Sequence, residues 1–126
     1  MTLRTWLCQI IIFLPAIDSQ GSKWIGIYEG GLVKFDGTNW TVYNTSNSGL
    51  PSNNVRAIVV DSKGNKWIGT SKGLARFDDV NWVVYGTSNS SLLSYDVLAI
   101  SIDSQGNRWI GTDKGLVRLD GVKWTV

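Results

Sequence analysis

Short apolar runs alternate with tight polar turns from residue 22 to the end of the chain. Lys23–Tyr28, Leu32–Asp36 and Trp40–Asn44 are each about five residues long and rich in Val, Ile, Trp, Tyr or Phe. Gly30-Gly31 separates the first two, and Gly37-Thr38-Asn39 the second two. Apolar runs of this length between Gly, Asn, Asp and Ser predict strands joined by hairpin turns. The same arrangement returns as Val55–Asp61, Lys66–Thr70, Leu74–Asp78 and Asn81–Tyr85. It returns again as Val97–Asp103, Arg108–Thr112, Leu116–Asp120 and Lys123–Val126. No window carries apolar residues at helical spacing over a useful length.

Longer polar connections part these groups. Thr45-Ser46-Asn47-Ser48-Gly49-Leu50-Pro51-Ser52-Asn53-Asn54 is matched by Thr87-Ser88-Asn89-Ser90-Ser91-Leu92-Leu93-Ser94-Tyr95-Asp96. Leu50 and Leu92 recur inside them, which predicts loops anchored to the core rather than flexible linkers. The unit as a whole repeats roughly every 42 residues, at Trp24, Trp67 and Trp109. Strand-and-turn chemistry at that period predicts an all-β fold, a β-propeller segment of three four-stranded antiparallel blades. The first strand of each blade, with its small Ala57 or Ala99, is expected innermost, and the strands of Trp40, Trp82 and Trp124 outermost. The repeats occupy residues 18–126, at about 10–44, 55–85 and 97–126.

The turn Asp61-Ser62-Lys63-Gly64 suits a type I turn closed by a left-handed glycine, and Gly106 and Gly21 repeat it. Trp67 and Gly69 share one face of their strand, because side chains alternate. A glycine beside an indole makes room for a bulky group from the next blade. Six of the seven tryptophans, Trp24, Trp40, Trp67, Trp82, Trp109 and Trp124, fill repeat slots and are assigned to blade packing. Lys34, Arg76 and Arg118 stand two residues before Asp36, Asp78 and Asp120, a spacing that predicts ion pairs on one strand face. Asp79 has only Gly37 and Gly121 as counterparts and is expected to be a solvated turn residue.

Residues 1–17 form the atypical part: a degenerate first strand, counted back as Ile12–Ile17, or a targeting-like segment. Trp6–Ala16 is mostly apolar but interrupted by Gln9, and too short to cross a membrane as a helix. Blade three stops at Val126, one position before the aromatic slot of Tyr43 and Tyr85. Three blades fall short of the usual minimum of about four for closure. The expected partners are therefore further blades in the same chain, or a second copy completing a six-bladed assembly.

Composition narrows the chemistry. The chain has no histidine, which removes the usual general base near neutral pH and the commonest transition-metal ligand. Its single cysteine, Cys8, cannot form an intrachain disulfide. A net charge of +2, with the cations spread over the repeats, gives no basic patch for nucleic acid. One Asp per turn lacks the acidic density of a calcium loop. No metal, cofactor or catalytic residue is expected, and the chain is not expected to be an enzyme.

The recurring Asp-x-x-Gly-Asn-x-Trp-Ile-Gly-Thr-x-x-Gly-Leu, followed by an Asp, a Trp and an aromatic, resembles the two-component regulator propeller repeat. Repeats two and three match closely; repeat one has Ser22 in place of Asn and an additional glycine. The resemblance implies blades of an extracytoplasmic sensor region, periplasmic or extracellular, of the kind found in hybrid two-component proteins. It implies no kinase activity here. Any ligand site is expected at positions that differ between blades, since shared ones maintain the scaffold. Asn53, Asn54 and Arg56, set against Tyr95 and Asp96, fit that description where the long loops enter the innermost strands. A sensor or ligand-recognition segment is the first expectation. The alternatives are a repeat lectin taking glycans on exposed Trp40, Trp82 and Trp124, or a structural interaction scaffold.

Overall fold

The computed structural model describes residues 15–121 and 123–126. Its strands are β1 (Ala16–Ile17), β2 (Lys23–Ile27), β3 (Gly31–Phe35), β4 (Trp40–Tyr43), β5 (Val55–Val60), β6 (Lys66–Thr70), β7 (Gly73–Phe77), β8 (Trp82–Tyr85), β9 (Val97–Ile102), β10 (Arg108–Thr112), β11 (Gly115–Asp120) and β12 (Lys123–Thr125). They form three antiparallel four-stranded sheets in the orders β1-β2-β3-β4, β5-β6-β7-β8 and β9-β10-β11-β12. These are the blades that the periodicity predicts, and no helix occurs among the described residues. Of the expected first strand, Ala16 and Ile17 pair with Trp24 and Lys23. Its earlier part, Cys8 and the targeting-like stretch up to residue 14 lie outside the described residues. Strand five ends at Val60, one residue earlier than expected, because Asp61 already belongs to the turn.

That turn is tied by its aspartate. The Asp61 Oδ1 accepts from the backbone N–H of Lys63 and of Asn65, both at 2.9 Å. The Gly64 N–H reaches the Asp61 carbonyl at 3.1 Å, with Gly64 at φ +85°. Asp103 and Gly106 repeat the arrangement, Gly106 at the same φ. The other carboxylate oxygen makes a bond that turn chemistry alone does not call for. Asp61 Oδ2 accepts from the indole Nε1 of Trp67 at 3.0 Å, Asp103 from Trp109 at 3.0 Å and Asp18 from Trp24 at 2.9 Å. Each blade thus fixes its central indole by its own first turn.

Trp24 and Trp67 fill the spaces between blades. The face of each blade that looks toward the next is here called trailing, and the opposite face leading. Trp24 and Leu32 on the trailing face of blade one pack with Ile68, Ala75 and Phe77 on the leading face of blade two. Trp67 and Leu74 meet Ile110 and Leu119 of blade three in the same way. Leu50 and Leu92, from the long loops, complete the two clusters and are buried as expected. Trp24 and Trp67 are 0% and 2% exposed, and burying an indole this fully is worth several kcal/mol.

Glycine allows the close approach. A Cβ at Gly69 would lie 2.7 Å from Cγ1 of Val97, and one at Gly26 would lie 2.6 Å from Cγ1 of Val55. Both valines sit beside a register shift in the innermost strand, where Arg56 falls between the paired Val55 and Ala57, and Leu98 between Val97 and Ala99. Such a bulge re-aims its neighbours, here driving each valine into the preceding blade. At Gly111 the nearest atoms to a built Cβ belong to Ala99 of the same blade, at 3.9 Å, and no valine of another blade reaches it among the described residues. Leu116 records the same difference: it is 55% exposed, whereas its counterparts Leu32 and Leu74 are wholly buried.

The expected ion pairs along one strand are corrected at two of three places. Arg118 and Asp120 approach to 3.8 Å, but Lys34 and Arg76 lie over indoles, 5.3 Å from the ring centre of Trp24 and 5.9 Å from that of Trp67. Lys34, Arg76 and Arg118 are all direct cross-strand partners of their indoles, so the difference lies with the acids. Asp36 and Asp78 meanwhile turn back onto backbone N–H groups of their own turns, those of Thr38 and Asn39 and of Val80 and Asn81. From the facing blade, Lys66 stands 4.9 Å over Trp24 and Arg108 stands 4.6 Å over Trp67. Each interblade indole therefore has two cations near its ring, one from each blade, at about 0.5–2 kcal/mol per contact.

Two sets of measurements follow. Trp67→Ala is expected to cost about 3–5 kcal/mol in urea unfolding. Gly69→Ala is expected to cost about 1–3 kcal/mol, because the stiff Val97 cannot turn away; Gly111→Ala should change stability by less than about 0.5 kcal/mol. Equal costs at the two glycines would contradict the interblade fit. The second concerns acid. The hydrogen bond from Trp109, then that from Asn107, holds the Asp103 carboxyl at about 2, below its ordinary 3.8. A depressed folded-state value adds stability that is complete above the unfolded value and is lost as pH falls through the folded one. Urea midpoints should thus fall between about pH 4 and pH 2, and Asp103→Asn should lose less over that window; identical slopes would contradict this.

Candidate functional site

The blade stack has two ends. At one, the long loops enter β5 and β9 beside the tight turns between the second and third strands. At the other lie the aspartate turns that lead into β6 and β10, with the short turns into β8 and β12.

The sequence-nominated residues gather at the loop end, and most are bound into the scaffold. Arg56, the bulged residue of β5, forms an ion pair through Nη1 with Asp96 Oδ1 in the loop entering blade three. Asn53 Oδ1 accepts from the Thr45 N–H at 3.0 Å, and its carbonyl accepts from Gly31 N–H at 2.9 Å. The Asn54 carbonyl accepts from Ser71 N–H at 3.3 Å, while its side-chain Oδ1 is buried without a partner. Tyr95 is the exposed member; its ring lies over Gly86, where a Cβ would come within contact of the ring edge. The phenol is held below its usual pKa by hydrogen bonds from Thr87 and Ser88. Positions that differ between blades are in this case joined to one another: Arg56 and Asp96 are a charge pair spanning two blades.

A hollow lies at the opposite end. A groove of about 590 Å³ runs between blades two and three, lined by Asp61, Lys63, Arg76, Asp103, Arg108 and Gly121 among others, with Trp67 at its base. A smaller hollow of about 140 Å³ shares Trp67, Arg76 and Gly121 and reaches Trp124. Volumes of this size suit a small molecule. The groove's carboxylates are saturated. Asp61 receives the Lys63 and Asn65 N–H groups, Asn65 Nδ2 and the Trp67 indole; burial opposes its ionisation, but these hydrogen bonds outweigh it and lower its pKa. Asp103 is engaged in the same way by Gln105, Asn107 and Trp109. Neither holds a proton to give near neutral pH, and neither has an oxygen left open to a metal. Among the described residues no three His, Cys, Asp or Glu side chains come together as a metal site.

Asp79 requires a correction. It is exposed, but it is not merely a solvated turn residue: its Oδ2 takes Lys66 Nζ at 2.7 Å. Lys66 is itself buried against Trp24, so the acid neutralises a cation that would otherwise be desolvated alone. Lys66 lies thirteen residues from Asp79, and only the strand register brings the two to one end of the blade. The tryptophans proposed for glycan stacking are also placed differently from one another. Trp82 and Trp124 are half-buried and pack into the two interblade clusters. Trp40 is 63% exposed and stacked on Phe35 at 4.3 Å, on the leading face, where no blade packs among the described residues. Trp82 stacks on Phe77 at the same distance, so Trp40 has the geometry of an interblade residue.

The family described as two component regulator propeller matches residues 49–72, from the end of the first long loop through β6. No curated protein matches. Among solved structures, the extracellular domain of the hybrid two component system BT3049 from B. thetaiotaomicron superimposes with a TM-score of 0.81 at 28% identity. The match covers 93% of this chain and 17% of that one. The extracellular domain of the hybrid two component system BT4673, from the same organism, matches with a TM-score of 0.59 at 18% identity, over 91% of this chain and 21% of that one. At that identity the second likeness concerns the fold alone. The chain thus spans about a fifth of the length of the structures it matches. The two component regulator propeller model thus matches one of the three repeats, and the blade geometry agrees with the likeness to these extracellular domains.

Proposed function

We propose that this chain is a non-catalytic segment of an extracytoplasmic sensor region, periplasmic or extracellular, that recognises a ligand for a two-component signalling protein. The observation that carries the proposal is its likeness, over 93% of its length, to the extracellular domain of a hybrid two component system. The site chemistry supports it. Without histidine, and with Asp61 and Asp103 held ionised by their own turns, the groove offers hydrogen-bond donors and cations rather than an acid–base pair. The uncovered trailing face at Trp109, Gly111 and Leu116 suits a further blade of the same kind, in the same chain or in a second copy. Such a blade would seat a side chain at Gly111 as Val97 is seated at Gly69.

The test is a thermal-shift panel of neutral sugars, acidic sugars, amino acids and organic acids on the purified chain. A recognised compound at a hundredfold excess over Kd adds about 2.7 kcal/mol, a rise in Tm of several degrees. No shift with any member of the panel would contradict ligand recognition by these blades.

A further inference from the structure

The two interblade interfaces are nearly the same, and a difference in charge at their turn end marks a site. In the first interface, the cation over the indole is Lys66, 4.9 Å from the ring centre of Trp24, and Asp79 of the same blade neutralises it at 2.7 Å. In the second, the cation is Arg108, 4.6 Å from the ring centre of Trp67. The residue of blade three in the position of Asp79 is Gly121, which has no acid to offer. Arg108 instead donates from Nη2 to the Gly121 carbonyl at 2.9 Å, and its Nε–H is buried without any partner. Arg76 stands over the same indole. Among the described residues, neither guanidinium has a carboxylate within ion-pair distance.

The loss of the acid also leaves space. A Cβ at Gly121 would meet nothing within 4 Å, and the groove of about 590 Å³ opens there. Two guanidinium groups and Lys63 line it. The carboxylates of Asp61 and Asp103 already bind their own turns and indoles. Two guanidinium groups on the wall of one groove, with no acid beside them, favour an anionic partner, and a carboxylate matches the planar edge of a guanidinium best.

We propose that the groove between blades two and three binds a small carboxylate ligand, whose anionic group takes the place beside Arg108 and Arg76 that Asp79 occupies beside Lys66. This rests on the ligand-recognition role above and gives it a location and a chemical class. The residues nominated at the loop end are not part of this site.

The experiment uses malonate, with its neutral diamide as control, and follows the Nε–H of Arg108 and the indole N–H of Trp67 by NMR at low ionic strength, where screening is least. Malonate is expected to shift both signals saturably and the diamide to shift neither. Gly121→Asp restores the missing acid. The backbone accepts it, since Asp79 holds φ +78° where Gly121 holds +59°. It should weaken malonate binding at least about tenfold, the loss of one charge-assisted contact, and by itself move the Arg108 Nε–H signal. The reciprocal Asp79→Gly should make the Trp24 indole respond to malonate. Equal responses to malonate and the diamide, or malonate binding unchanged in Gly121→Asp with the spectrum otherwise intact, would overturn the proposal. If malonate fails while a neutral member of the thermal-shift panel binds, the carboxylate site falls and the sensor role stands. If nothing binds in either experiment, both fall.

Discussion

The indole of each blade's second strand, held between two sheets, is the interaction on which the rest of the structure depends. One edge of it is tied to the aspartate of its own turn, its ring has a cation from each blade beside it, and a glycine two residues on lets the neighbour's valine close over the strand. A four-stranded antiparallel sheet of about twenty residues has too little apolar area to fold alone. Its stability comes from the neighbour, as in other stacked-repeat architectures. Repeating residues and blade contacts are therefore one constraint seen twice.

This arrangement separates what the repeat needs from what it leaves free. The aspartates, indoles and glycines are committed to holding blades together, which removes the most conspicuous polar groups from any reactive role. Chemistry is left to positions where the copies diverge. At the loop end the divergence of Arg56 and Asp96 is spent on a bridge between blades two and three. At the turn end the replacement of Asp79 by Gly121 leaves a cation without its acid and a groove beside it. The same kind of sequence difference thus has opposite consequences at the two ends, and only the spatial partner decides which.

Much of the architecture was legible from residue order. Strand lengths, turn glycines, the buried anchors Leu50 and Leu92, and the niche at Gly69 all follow from local chemistry and a period of two within a period in the forties. What escaped were interactions whose two halves lie on different strands or different blades. The spacing of Arg76 and Asp78 on one strand suggested an ion pair, yet the cross-strand register puts Arg76 on Trp67. The link from Lys66 to Asp79 spans a hairpin, and that from Arg56 to Asp96 spans two blades. The indole–aspartate bond lay within six residues and recurred in all three copies, so the repeat itself carried that signal; turn chemistry alone accounted for the Asp and hid it.

The central claim is that neighbouring blades are locked by shape at the glycine niche, and a double-mutant cycle between Gly69→Ala and Val97→Ala measures that lock. If the added methyl collides with Val97, trimming Val97 relieves it, and the two substitutions together should destabilise the chain by about 1–2 kcal/mol less than the sum of the single effects. Strict additivity of the two effects in urea unfolding would show that the blades do not meet there, and would contradict the account.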